Sequence, residues 1–91
     1  MGNQIQVTPQ MLDSNANMVE ESARTIETNV DGLTLLLQGL RSSFKGNLAN
    51  KLQMEYQQDE EAMRRFVTNL RTFAANLHTT AANFRRADAT E

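Results

Sequence analysis

Leu12, Ala16, Val19, Ala23, Ile26, Val30, Leu33, Leu37, Leu40 and Phe44 follow one another at alternating spacings of four and three, and every one is apolar. That is a heptad seam, and it predicts an amphipathic helix over about 9–42. Thr8-Pro9 starts it, with threonine as the cap and proline at the first helical position, where a missing N–H costs nothing. Small Ala16 and Ala23 predict a close approach of a neighbour near the helix start, and the larger residues further on predict a wider end.

A second seam runs Ala49, Leu52, Tyr56, Asp59, Met63, Phe66, Leu70, Phe73, Leu77, Thr80, Phe84, Ala87, broken only at Asp59 and Thr80. It predicts a second helix over about 48–87. Between the two lies a turn at 43–47. Gly46 suits the left-handed residue that ends a helix, Asn47 suits a cap, and Phe44 reads as an apolar plug folded back between the helices. Such a short turn makes long helices antiparallel neighbours. The expectation is an all-α, single-domain chain over 1–91: an antiparallel two-helix hairpin with loose ends.

Two helices cannot cover their own apolar surface. Leu35 and Leu36 lie off the first seam, and Val67, Ala74 and Ala81 off the second. A second hairpin, either another copy or a different chain, is therefore expected to complete a four-helix bundle. Asn69, Asn76 and Asn83 form a row that either edges an interface or bonds across it. Met11 and Met18 share an off-seam position and mark either a partner-facing surface or incidental exposure. Asp59-Glu60-Glu61-Ala62-Met63-Arg64-Arg65 supplies two i,i+4 ion pairs, Glu60 with Arg64 and Glu61 with Arg65, and reads as a solvated stretch projecting past its neighbour.

Composition narrows the function. At 91 residues the chain is near the lower limit for a self-sufficient core, and without cysteine it has no disulfide to staple it. A formal charge of −2 gives no basic footprint for nucleic acid. No apolar run reaches the ~20 residues of a membrane span. The N-terminus lacks the pattern of a cleaved secretory signal, and Gln6 stands where a myristoylation site needs Ser or Thr. His78 has no carboxylate or second histidine three or four positions away and reads as a surface histidine, not a metal ligand. No phosphate loop, nucleophile elbow or zinc-ligand spacing occurs. The expectation is a non-enzymatic protein with no cofactor and no catalytic residue.

The chain resembles the W-x-G family of type VII secretion proteins, the early-secreted-antigen-like hairpins. The size, the heptad-patterned helix pair and the mid-chain aromatic-x-Gly turn carry the likeness, with Phe44-Lys45-Gly46 in place of the family's Trp-x-Gly. The family's Tyr-x-x-x-Asp/Glu export signal corresponds to Phe84-Arg85-Arg86-Ala87-Asp88, with Phe84 in place of Tyr. Tyr56 to Glu60 fits the tyrosine form literally, but it lies too early in the second helix to carry that role. Both replacements resemble the accessory proteins encoded with LXG toxins in Firmicutes. That resemblance implies a targeting factor that binds the helical LXG domain of a toxin, or a second small W-x-G-like protein. Its partner or core seam would be Leu12, Val19, Ile26, Leu33, Leu40, Met63, Phe66, Leu70, Phe73 and Leu77, and Phe84 and Asp88 would engage the secretion ATPase. It further implies assembly in the cytoplasm, then export without a cleaved signal. Two alternatives stand beside it: a self-associating, homodimeric secreted W-x-G protein, and a structural coiled-coil module unrelated to secretion.

Overall fold

The computed structural model describes residues 6–43 and 46–89, the side chain of residue 49 excepted. Two helices account for nearly all of it: α1, Pro9–Ser43, and α2, Asn47–Ala89. They run antiparallel as a rod 68 × 28 × 15 Å. Phe44 and Lys45, and with them the plug expected of Phe44, lie outside the described residues.

The helix ends follow local chemistry. Thr8 Oγ1 accepts from the Met11 amide at 3.1 Å, and the Thr8 carbonyl accepts from Leu12, so Thr8 is the cap of α1. At the turn, Gly46 has φ +137°, a conformation that L side chains rarely adopt. Its carbonyl accepts the first bond of α2, from the Asn50 amide at 3.2 Å. Gly46 thus occupies the cap position expected of Asn47, and Asn47 is already helical.

The buried apolar residues are Ala16, Ala23 and Val30 on α1 and Val67, Ala74 and Ala81 on α2. On α2 this corrects the phase read from the sequence, where Val67, Ala74 and Ala81 fall off the seam. The reason is steric. Alanine against alanine lets the two backbones approach, whereas the phenylalanines of the other row would hold them apart. Among the described residues, Val30 is the largest side chain that is fully buried. So small a core leaves most of the large apolar side chains at least partly exposed, and the hairpin has little apolar burial of its own to stabilise it.

Near the turn, Tyr56 joins the helices through a polar clasp. Its hydroxyl donates to the Val30 carbonyl at 3.0 Å, Thr34 Oγ1 donates to the same carbonyl at 3.0 Å, and the two hydroxyls lie 3.0 Å apart. No buried side-chain polar atom among the described residues is left without a partner.

Candidate docking interface

The hairpin has two unlike flanks. Along one of them, α1 carries Asp13, Glu20 and Glu27 at heptad spacing, and α2 carries Arg64, Arg71, His78 and Arg85 at the same spacing. Glu27 meets Arg71 at two points, 2.9 and 3.0 Å. Asp13 accepts from Arg85 at 2.7 Å and lies 2.7 Å from His78 Nδ1; Glu20 lies 3.8 Å from His78 Nε2. Arg64 bridges Asp31 of α1, at 3.0 Å, and Glu60 of its own helix, at 2.8 Å. The pair Glu60–Arg64 expected from spacing is therefore present, but the acidic stretch does not project past its neighbour. It lies beside α1.

These contacts shift the titration of Asp13, Glu27, Arg64 and Arg71. The His78 hydrogen bond, then the Arg85 bond, hold the Asp13 carboxyl below the usual carboxylate range. The Arg71 fork does the same to Glu27 and raises Arg71 in turn. His78 lacks a carboxylate on its own helix, as the sequence shows, yet it has two from α1. They lie sixty-five and fifty-eight positions away along the chain.

The opposite flank is apolar and open. Because side chains three and four apart share a face, the rows Leu12, Val19, Ile26, Leu33, Leu40 and Met63, Leu70, Leu77, Phe84 fall on the side away from the ion pairs. Leu12, Val19, Ile26, Met63, Leu70 and Leu77 are half-buried beside the helix–helix seam, while Leu33 and Leu40 are exposed. Next to the α2 row, Phe66 and Phe73 stand 51% and 55% exposed. The second seam read from the sequence is a genuine apolar pattern, but it lines this open face rather than the contact with α1. Phe84, 44% exposed, ends the face, and Asp88, also exposed, sits one turn beyond it. Met11 and Met18 are exposed, and so are Asn69, Asn76 and Asn83.

Among the described residues, no group of His, Cys, Asp and Glu could hold a metal ion, and no helix is long and apolar enough to cross a membrane. An exposed aromatic and aliphatic strip of this kind marks an interaction surface.

Comparison with known proteins bears on the family and the fold. The model of the family described as "WXG100: Proteins of 100 residues with WXG" matches residues 4–89. Among solved structures, the chain is similar to the secreted protein EsxB of Bacillus anthracis, with 24% identity over 93% of this chain and 97% of that one, at a TM-score of 0.87. The wild-type form of EsxB in a further crystal form superposes nearly as well, at a TM-score of 0.84 and 23% identity over 92% and 97% of the two chains. No curated protein matches the sequence.

Proposed function

Since the chain belongs to the WXG100 family of type VII secretion proteins, we propose that it is a non-enzymatic targeting factor for a toxin exported by that route. The apolar face packs against the helical LXG domain of the toxin and completes a four-helix bundle with it. Phe84 and Asp88, one turn apart at the end of α2, are offered to the secretion ATPase. Assembly takes place in the cytoplasm and release follows.

The observation that supports this reading is the position of Phe84. An aromatic ring left 44% exposed at the end of an unpartnered apolar strip, with a carboxylate a turn away, suits recognition by a second protein. That the similar EsxB of Bacillus anthracis is a secreted protein supports export as well.

The test is a secretion assay of the toxin in the presence of Phe84→Ala plus Asp88→Ala. Export should fall by at least tenfold while circular dichroism shows unchanged helix and the toxin still co-purifies. Full export by the double variant would leave the chain as a structural coiled-coil module.

A further inference from the structure

We propose that the ion-pair flank carries a second docking site, at the turn end of the hairpin, for an acidic amphipathic peptide segment of a partner protein. The site lies across the rod from the apolar face and does not depend on the toxin reading.

The register of the cross-helix pairs marks the place. Asp13 meets Arg85, Glu20 faces His78 and Glu27 meets Arg71, so each step of seven along α1 is matched by seven back along α2. In all three rungs α1 brings the acid and α2 the base. One step further along, Thr34 stands opposite Arg64, which turns instead to Asp31 and Glu60. One step after that, the same register sets Arg41 opposite Gln57. There the base has moved to α1, and α2 offers only a carboxamide. Residues 32–54 contain no Asp or Glu. Arg41 is exposed and forms no ion pair among the described residues. The ladder ends on a cation without its carboxylate.

A cleft of about 180 Å³ opens at this rung. Arg41 and Gln38 line it from α1, and Gln53 and Gln57 from α2, together with the half-buried Leu37 and Tyr56. The Tyr56 hydroxyl is already committed to Val30 and Thr34. Glu60, at the end of the cleft away from the turn, is held by Arg64. One guanidinium and three carboxamides remain for a ligand. Pockets for free small molecules run to about 300–1,000 Å³. The smaller volume here suits one or two side chains of a larger partner.

Chemistry selects the occupant. A guanidinium forks onto a carboxylate. Each carboxamide both donates and accepts, as the N–H and C=O of a peptide backbone require. Leu35 and Met54 stand three positions before Gln38 and Gln57, share their faces, and are exposed on the two shoulders of the cleft. An Asp or Glu with apolar neighbours in an extended chain offers the matching set. A flat bilayer surface would meet the shoulders and leave the carboxamides without partners. Because the cleft and the apolar face lie on opposite flanks, both can be occupied at once, and the hairpin then joins two partners.

The probe is the pentapeptide acetyl-Leu-Ser-Glu-Ser-Leu-amide, followed by heteronuclear NMR of the full chain. It should shift the side-chain signals of Arg41, Gln38, Gln53 and Gln57 saturably, and the same peptide with Gln for Glu should bind at least tenfold more weakly. Arg41→Gln should weaken binding at least tenfold, whereas Lys51→Gln, which removes a cation of the same end outside the cleft, should leave it unchanged. Gln57→Glu supplies the missing rung from the chain itself, so it should abolish peptide binding and raise the melting temperature slightly. No saturable shift up to millimolar peptide, equal binding of the Glu and Gln peptides, or equal loss in the Arg41 and Lys51 variants overturns the inference. So does peptide binding that Gln57→Glu leaves intact. Arg41-dependent capture by phosphatidylglycerol vesicles without peptide binding overturns it too, since the occupant would then be a lipid surface. The Phe84→Ala plus Asp88→Ala variant should bind the peptide as the parent does, so failure here and failure of the toxin reading are told apart.

Discussion

Glu27 and Arg71 form a two-point carboxylate–guanidinium pair between the helices, at 2.9 and 3.0 Å, near the middle of the rod. The geometry is the favourable forked one, yet both groups are close to half exposed, so water and salt screen them. Arg71→Ala should therefore lower the melting temperature only slightly, and less still in high salt. A loss as large as that of a core variant would mean that the pair governs the helix contact.

Acid should act through the same flank. Asp13 and Glu27 have carboxyls held below their ordinary range by His78 with Arg85 and by Arg71. A depressed carboxylate adds stability that is present above its unfolded-state pKa and lost as pH falls through the folded one. The contribution is thus intact at about pH 5 and above and declines below about pH 4, to be lost only as pH falls through the lowered folded-state values. Asp13→Asn plus Glu27→Gln should show a flatter decline of melting temperature than the parent between about pH 5 and pH 3. Parallel curves would rule out these two groups as the source.

The buried alanines should tolerate no growth. Ala23 and Ala74 are fully buried where the helices run close, so Ala23→Leu overpacks the seam and should cost about 1–3 kcal/mol in chemical denaturation. Phe73→Leu, on the open face, should cost the isolated hairpin much less. If the two variants unfolded alike, the seam would be placed wrongly.

At the turn, Gly46 has open space where a Cβ would stand but a φ of +137°, so a side chain there is opposed by backbone conformation alone. Gly46→Val should lower the melting temperature by more than Gly39→Val, which is a helical position with equally open space and no positive φ. Equal effects would remove the conformational argument.

The Tyr56 clasp supplies one more measurable difference. Tyr56→Phe keeps the ring but removes a donor to the Val30 carbonyl, which retains Thr34 as a partner. The expected loss is about 0.5–1.5 kcal/mol by urea denaturation. A variant as stable as the parent would show the hydroxyl to be idle.

Much of this fold is legible in the sequence, because a heptad pattern, a threonine–proline start and a glycine turn act locally. Thr8 and Gly46 can be assigned from their own chemistry. The phase of α2 cannot. Its row through Phe66, Leu70 and Phe73 is more apolar than the row through Val67, Ala74 and Ala81, and apolarity alone favours the former. What decides is that α1 offers Ala16 and Ala23, which match small residues and exclude rings. His78 escapes a local reading for a related reason: its carboxylates are remote in sequence, and only the register of the hairpin brings Asp13 and Glu20 to it. Phe84 and Asp88 stand out by their spacing, and their exposure is what the structure adds.

The seam of small residues has a consequence for the length of the rod. Val67, Ala74 and Ala81 repeat every seven residues, as do Ala16, Ala23 and Val30, and so do the charged positions beside them. Excising one heptad from each helix, at matching heights, would bring like against like again and leave the turn untouched. The product would be a rod about 10 Å shorter, at about 1.5 Å per residue, with the same two flanks. Size in such a hairpin is modular, and chains of different length can present the same surface.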